Sequence, residues 1–281
     1  MSVDQGPAPE RVIRPQRGFI TINFGELWRY RELFGFLAWR DILLRYKQTY
    51  LGVTWVILQP VLMVVVFTVL FGSVAKFPTH GAPYAIITFA ALVPWQFFSN
   101  TLSESSNSMV ASARIISRVY FPRLIIPASV VSSGFVEAGI SFVLLLIFMA
   151  IYHVPVQPLL LLLPVFLFLT FLVSFAAGAW FSALNVKYRD IRYVVPFITR
   201  LGMYVTPVPF LWMDIVPERW RMWYCLNPLV AVIDGFRWSV LGPKFEPYWP
   251  GFFLSLGVGF VMLVTGMMYF RNTEKTFADI I

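Results

Sequence analysis

The sequence predicts an all-α integral membrane protein with six transmembrane helices, and three observations support this fold class. Of 281 residues, 58% are hydrophobic and only 13% are charged, against roughly 25% charged in an ordinary soluble domain. Six stretches are long and apolar enough to cross about 30 Å of hydrocarbon. The segments that join these stretches differ sharply in basic charge. This composition excludes a plain soluble enzyme, because so apolar a chain cannot cover a globule with polar surface.

The N-terminal region precedes the first apolar stretch and divides into two parts. Residues 1–25 begin rich in Pro, Gly and charge, which predicts a flexible cytoplasmic tail, and the lack of an early apolar run excludes a signal peptide. Residues 26–50 place aromatic and arginine side chains at helical spacing. We interpret them as an amphipathic helix on the membrane surface that can break at Gly35. Asp41 and Arg45 have the spacing of an ion pair within that helix.

The six expected spans and their connections fix the orientation. The spans cover residues 52–75, 82–103, 124–152, 159–184, 194–212 and 249–270. If the N-terminus is cytoplasmic, cytoplasmic segments hold 16 of the 22 basic residues. The positive-inside rule then places both termini in the cytoplasm. Because the excess basic charge lies at the inner membrane face, binding to nucleic acid is not needed to explain the net charge of +8. One transmembrane domain over residues 26–275 is expected, followed by a short cytoplasmic tail, 276–281.

The segment 213–248 is hydrophobic enough to suggest a seventh crossing, but its polar residues argue against it. Asn227, Pro228, Asp234 and Arg237 lie within it, and a charge at the bilayer centre costs about 2.5–3.5 kcal/mol on insertion scales. Two short re-entrant helices on the outer side are the better prediction, with their backbone shielded by protein.

No sequence motif indicates catalysis. A Gly-rich loop ending in Lys-Ser or Lys-Thr is lacking, so the chain is not expected to bind ATP phosphates itself. The single cysteine, Cys225, and the two distant histidines, His80 and His153, give no metal-site spacing. An integral glycosyltransferase would need loop clusters of Asp, Glu or His, and a secondary transporter would favour inverted repeats, neither of which we find.

Aromatic residues make up 18% of the chain. Most suit membrane interfaces or lipid-facing positions. Some lie along the first and fifth expected spans, where their rings can instead form an adhesive, non-specific wall for a sliding glycan, as aromatic platforms do for bases. These candidate path residues are Trp55, Phe67, Phe71, Phe197, Tyr204 and Phe210.

Two ionisable residues fall inside expected spans and are functional candidates for that reason. Glu137 lies near the middle of the third span on a face of small and polar residues, and Arg200 lies near the cytoplasmic end of the fifth. A pair between them, snorkelling of Arg200 and a transport role all remain open. The Ser174, Gly178 and Ser182 stripe on the fourth span favours close helix packing.

The segment 104–123 is too polar to cross the membrane. Arg114, Arg118 and Tyr120 would project from a short helix that stops before Pro122. A solvated loop and a docking helix for a cytoplasmic partner are both compatible with this pattern.

Taken together, these pieces resemble the permease subunit of polysaccharide-exporting ABC transporters of the type 2 exporter class, above all the O-antigen branch. The similarity covers about residues 36–275 and is carried by RDILLRYKQTYLGVTWVILQPVLMVVVFTVLFGSV (40–74), VPWQFFSNTLSESSNSM (93–109), FPRLIIP (121–127), LNVKYRDIRYVVPF (184–197) and LNPLVAVIDGFRWSVLG (226–242). The order and spacing of these segments agree with the six-span topology.

The resemblance implies a homodimer in a bacterial inner membrane that forms a channel between its two copies. Two copies of a cytoplasmic ATPase would carry ATP and Mg²⁺, with no cofactor on this chain. The expected substrate is a glycan linked to undecaprenyl diphosphate, an intermediate of lipopolysaccharide biosynthesis, which would be exported to the periplasm. Membrane lipids would surround the complex. Teichoic acid, a capsular polysaccharide and a small hydrophobic drug-like molecule are the alternatives.

The resemblance also implies roles for particular segments. Segment 26–50 would be the interface helix and 104–123, with Arg114, Arg118 and Tyr120, the helix that couples to the ATPase. The hairpin around Asn227 and Pro228 would form the periplasmic gate helices, and the first and fifth spans would line the channel.

Overall fold

The computed structural model describes residues 24–47, 52–274 and 277, and within them the chain is all-α, without a strand. The predicted cytoplasmic tails, 1–25 and 276–281, lie outside the described part except for residues 24, 25 and 277. The described α-helices are α1 (Phe24–Arg29), α2 (Arg31–Tyr46), α3 (Gly52–Phe67), α4 (Tyr84–Ala111), α5 (Ala113–Ile116), α6 (Ile125–Ile151), α7 (Leu163–Lys187), α8 (Ile191–Val205), α9 (Trp212–Ile215), α10 (Glu218–Tyr224), α11 (Pro228–Leu241) and α12 (Trp249–Glu274). A π-helix, Thr68–Val74, continues α3, and short 3₁₀-helices precede α7 (Pro158–Leu162) and α12 (Pro243–Phe245).

Five of these helical segments are long and apolar enough to cross a membrane, which confirms the integral membrane class for the described part of the chain. They are Thr54–Val74, Tyr84–Ala111, Ile125–Ile151, Pro158–Lys187 and Trp249–Glu274. They coincide with the first, second, third, fourth and sixth expected spans.

The sixth expected crossing, 194–212, does not form one long helix. It corresponds to α8, which has 15 residues and is about 22 Å long at 1.5 Å per residue. Residues 206–211 after it leave the helical conformation. Pro207 and Pro209 lie in this stretch, and since a proline has no backbone N–H to continue a helix, they give the physical reason for the break that hydropathy alone did not reveal.

The N-terminal helices differ from the sequence expectation in one detail. The chain turns at Tyr30 between α1 and α2, and α2 runs unbroken through Gly35. One side of α2 packs along α6 and buries Leu37, while Trp28 at the end of α1 and Trp39 on α2 are exposed. An amphipathic helix of this kind suits the boundary between protein, lipid and water.

At the centre of the described structure lies α4, which packs against α6, α7, α8 and α11. Small residues permit the close approach: a Cβ on Gly178 of α7 would lie 2.5 Å from the Ser105 hydroxyl, and one on Gly202 of α8 would lie 2.8 Å from the Trp95 ring. Since Ser174, Gly178 and Ser182 are all buried, the packing interpretation of this stripe is confirmed.

The polar segment 104–123 does not form a helix of its own. Its first part continues α4 to Ala111, and only the four residues of α5 form a separate helix. Serine hydroxyls in this segment donate to carbonyls one turn earlier, as Ser106 does to Ser103 at 2.8 Å and Ser108 to Ser105 at 2.7 Å. Serine hydroxyls whose hydrogen bonds are made within their own helix are compatible with a long buried helix.

Between α8 and α12 the structure places α9, α10 and α11 rather than two helices. The longest, α11, has 14 residues and is about 21 Å long, too short to cross about 30 Å of hydrocarbon. Most of α11 is buried against α4, α7 and α12. A seventh span in this segment is therefore excluded.

Candidate functional site

Four of the six aromatic residues singled out from the sequence join with a fifth ring in one connected group. Phe67 meets Phe71 edge to face with ring centroids 5.4 Å apart, and Phe71 stacks on Phe77 at 5.4 Å. Phe77 reaches Phe210 at 6.5 Å, and Phe67 reaches Tyr204 at 6.4 Å. Centroid separations of about 4.5–7 Å are typical of favourable aromatic pairs. We call these five residues the aromatic chain.

The aromatic chain opens outward at Tyr204. That side chain is 54% exposed, whereas Phe67 is buried. Phe197 lies two helical turns before Tyr204 on the same face of α8 and is exposed too. Among the described residues, its ring does not contact any ring of the aromatic chain. Trp55, the sixth predicted path residue, lies apart near the start of α3 and lines a separate cavity.

The π-helix that follows α3 places the aromatic chain against α4. A Cβ on Gly72 would lie only 3.1 Å from the Tyr84 ring, so glycine permits this contact. The Tyr84 hydroxyl donates a short hydrogen bond to the carbonyl of Pro209, which follows α8. π-helical turns are frequent at functional sites, and here one shapes the junction of α3, α4 and the segment after α8.

The irregular segment 206–211 is largely buried, so its carbonyls need partners within the protein. Arg237, itself only 2% exposed, bonds to two of these carbonyls and to a third on α4. Its guanidinium donates to the carbonyls of Val208 and Phe210, both at 3.0 Å, and to that of Ile87 on α4 at 3.2 Å. The Arg237 side chain thus fastens α4, α11 and the end of α8 together.

Two further side chains hold the end of α8 from the other side. The Tyr224 hydroxyl donates to the Val205 carbonyl at 2.8 Å, and the Asn227 amide donates to the Thr206 hydroxyl at 3.0 Å. Asn227 also caps α11, since its Oδ1 accepts from the Leu229 backbone N–H at 3.0 Å. Pro228 occupies the first turn of α11, where the missing N–H has no helical partner to lose.

Asp234, the remaining polar residue of this predicted group, is buried on α11 one turn before Arg237. Its Oδ2 accepts a hydrogen bond from the Trp212 indole N–H at 2.8 Å. Asp234 thereby connects α9 to α11. Asn227 and Arg237 therefore hold the irregular segment 206–211, and Asp234 holds Trp212, which follows it.

A second polar group connects α2 to the spans. Arg45 pairs with Glu137 on α6, with Nη1 and Oε1 2.5 Å apart, and forms an ion pair with Glu104 on α4. The Asn100 amide donates to the other oxygen of Glu137 at 2.9 Å. We call these four residues the ionic cluster. Arg45 and Glu137 are half-buried and Glu104 is exposed, and pairing with hydrogen bonds offsets the cost of withdrawing the half-buried charges from water.

The ionic cluster replaces two pairings that the sequence suggested. Glu137 bonds to Arg45 and Asn100 rather than to Arg200, which is exposed on α8. Asp41 bonds to its neighbour Arg40 at 2.8 Å instead of to Arg45.

Beside the ionic cluster lies a cavity of about 470 Å³ between α2, α3, α4 and α6. Trp55 forms one wall, and the polar lining includes Gln59, Gln96, Asn100 and Ser141. We call this space the inner cavity. It is polar on one side and aromatic on another, although the helices around it are predominantly apolar.

The candidate coupling residues lie around α5 at one end of the bundle. Arg114, Arg118 and Tyr120 are all exposed. This end is fixed by Arg123, whose backbone N–H donates to the Glu274 carboxylate at 3.1 Å. Phe277, beyond α12, is buried in the same region.

Several residues of these groups escaped the sequence analysis. Arg45, Asn100 and Glu104 were not expected near Glu137, because contacts across 33 to 92 positions of sequence leave no periodic signal. Tyr84 and Phe77 stand at the edges of apolar stretches and looked like ordinary interfacial aromatics. A polar Asn-Glu pair at the end of an apolar span was the one available sign, since such residues face the bundle interior.

Comparison with known proteins places this architecture among transporters. The family described as ABC-2 type transporter matches residues 32–241. Two O-antigen export system permease proteins of Klebsiella pneumoniae are 25% and 26% identical to the chain over 260 and 261 residues, covering 92% of this chain and 97% of each relative. One of the same name from Myxococcus xanthus is 27% identical over 261 residues, covering 90% of this chain and 97% of its own.

Proposed function

Because the chain belongs to the ABC-2 type transporter family, the membrane component of ABC transporters, we propose that it moves a lipid-linked polysaccharide of the O-antigen type from the cytoplasm to the periplasm. The names of the three relatives support this choice of substrate. Energy comes from ATP hydrolysis on a separate cytoplasmic ATPase that binds Mg²⁺ and the nucleotide.

The observation that carries the proposal is the aromatic chain. Its rings connect α3 to the end of α8 and present Tyr204 at an exposed edge. An aromatic face binds the C–H face of any sugar ring with little specificity, as stacking platforms do for nucleic-acid bases. Such a surface suits a polymer that must slide rather than bind once.

A second copy of the chain completes the path in this proposal. In the most apolar 18-residue stretch of Thr54–Val74, only 17% of the residues are buried, whereas in that of Tyr84–Ala111 83% are buried. The face of α8 with Phe197 and Tyr204 is exposed as well. Two copies related by a two-fold axis would bring these faces together around a channel in the inner membrane. In this proposal α8 and the irregular segment after it make the sixth crossing, which puts both termini in the cytoplasm.

Coupling to the ATPase occurs at the end of the bundle that carries α5. Arg114, Arg118 and Tyr120 dock in a groove of the ATPase, and the long helix α4 transmits the movement from there toward the aromatic chain. The helices around Asn227 and Pro228 act as the outer gate, which Arg237 holds closed on the end of α8.

The experiment that tests the proposal is an export assay in cells that lack the native transporter. The chain is co-expressed either with its ATPase or with an ATPase whose catalytic carboxylate is removed, and surface and intracellular glycan are quantified. We expect glycan to accumulate inside under the block. Normal export under the block would refute the energy source, and unchanged intracellular glycan with the active pair would refute the substrate.

The aromatic chain is tested in the same assay with Tyr204→Ala, which should slow export without loss of the assembled complex. The matched control is Phe260→Ala, which removes an exposed aromatic side chain on α12 that is not part of the aromatic chain, and this variant should export at the normal rate. If Tyr204→Ala exports normally, the path lies elsewhere. Teichoic acid, capsular polysaccharide and small hydrophobic molecules are compared as alternative cargoes by expressing their synthesis genes beside the same pair.

A further inference from the structure

The inner cavity contains side-chain amides that lack protein partners. Gln59 on α3 and Gln96 on α4 line it, and among the described residues neither side chain forms a hydrogen bond. A glutamine amide offers two donor hydrogens and an acceptor oxygen. Gln59 is exposed and Gln96 is half-buried, so both amides are accessible to a molecule in the cavity. The cavity therefore favours an occupant that is itself rich in hydrogen-bonding groups.

Trp55 gives the same cavity a flat apolar wall. Its side chain is 56% exposed although it lies within the span that begins at Thr54. A ring with an apolar face and a polar edge suits a ligand that is apolar on one face and polar around its rim. Sugar rings have this form, with C–H groups on their faces and hydroxyls at their edges.

The charges at the cavity argue against a phosphate group as the occupant. Arg45 is the one cationic residue of the lining, and it already pairs with both Glu104 and Glu137. The three groups together carry a formal charge of −1. An anion placed here would meet like charge, which disfavours its binding, whereas carboxylate oxygens and amides both accept hydrogen bonds from hydroxyls.

We propose that the inner cavity binds neutral sugar units of the exported glycan, with Trp55 stacking on a ring and Gln59, Gln96 and Asn100 binding its hydroxyls. This inference rests on the proposed function and assigns a separate site to the same substrate. Its volume of about 470 Å³ falls in the range of about 300–1,000 Å³ usual for ligand pockets. Gln59 lies seven residues after the start of α3, about 10 Å along the helix, so the site lies in the cytoplasmic half of the membrane in the proposed orientation.

The test measures binding to the purified complex of this chain with its ATPase in lipid nanodiscs. The probe is the polysaccharide released by mild acid from the undecaprenyl-linked pool of the source bacterium and labelled at its reducing end. Undecaprenyl phosphate serves as the second probe. Dissociation constants are compared for the native chain, Gln59→Leu/Gln96→Leu, Trp55→Ala and the control Trp39→Ala. Trp39 is 59% exposed on α2 and lies outside the cavity.

We expect the double variant to bind the released polysaccharide ten- to a hundredfold more weakly, since each lost hydrogen bond of about 1.4 kcal/mol corresponds to a factor of about ten. Trp55→Ala should weaken binding about tenfold, and Trp39→Ala should leave it unchanged. Co-elution with the ATPase on size exclusion verifies that each variant is folded.

Equal affinity of the native chain and the double variant would overturn the inference, as would a loss confined to undecaprenyl phosphate. Either result, together with normal ATP-dependent export, leaves the proposed function standing. A native complex that exports no glycan would instead refute the proposed function.

Discussion

The buried guanidinium of Arg237 gives the most direct test of how the end of α8 is held. Substitution by methionine, Arg237→Met, keeps a long side chain but removes the three hydrogen bonds to Val208, Phe210 and Ile87. At about 1 kcal/mol net for each bond, the folded state loses about 3 kcal/mol. For a chain of this size that lowers the apparent melting temperature by about 6–12 °C.

The assay is thermal denaturation of the detergent-solubilised protein, followed by the fraction that stays monodisperse on size exclusion. Arg237→Lys should fall between the native chain and Arg237→Met, because a point ammonium cannot reach three carbonyls in fixed directions. Adding Asp234→Asn to Arg237→Met should recover part of the loss, since it removes a buried carboxylate left near the lost charge.

The matched control is Arg219→Met on α10, where the exposed guanidinium lies 6.0 Å from the Trp220 ring. This variant should melt within about 1 °C of the native chain, as expected for a surface substitution. If Arg237→Met also melts within about 1 °C, the carbonyls after α8 do not depend on Arg237, and the account of this segment is wrong.

Three further predictions concern other contacts. Arg118→Glu should weaken co-purification of the ATPase and reduce export. The same charge reversal at Lys244, which is exposed at the other end of the bundle, should leave both unchanged. If the ATPase still co-purifies with Arg118→Glu, the segment around α5 does not bind the ATPase. Gly202→Ala places a Cβ 2.8 Å from the buried Trp95 indole and should lower the stability of the folded state by about 1–3 kcal/mol, measured by thermal denaturation. Gly139→Ala, whose Cβ would have nothing within 4 Å, should be neutral or stabilising. Equal melting temperatures of the two variants would contradict the close packing of α8. Tyr224→Phe removes one hydrogen bond of 2.8 Å and should lower the melting temperature by about 2–4 °C, so an unchanged value would show that the Val205 carbonyl has another partner.

The long helices could be predicted from sequence because their apolar runs are continuous. The expected spans 124–152 and 249–270 agree with α6 and α12 to within a few residues at either end. The end of α4 was misplaced by eight residues, since its Ser-rich last turns are as polar as a loop. Those turns are buried by contacts with other helices, such as that of the Asn185 amide with the Ser106 carbonyl at 2.8 Å.

The candidate site was predictable only as a list of residue types. The aromatic residues on α3 and α8 were identified by their positions along two expected spans, and four of them do meet. The partner of Glu137 could not be found this way, because Arg45 lies 92 positions away on a surface helix. The ring of Phe77 and the hydroxyl of Tyr84 belong to a connecting segment and a helix start, where periodicity carries no information about the opposite side of the fold.

The enclosed position of α4 also bears on how the chain is made. Of the five candidate spans it is the least apolar and the most buried, with 83% of its window covered by other helices. A helix with so many hydroxyl groups gains little from lipid alone as it leaves the translocon. We therefore expect its stable position in the bilayer to depend on packing against α6 and α7, which are synthesised later, so that insertion of the second hydrophobic segment would be completed only with the third and fourth.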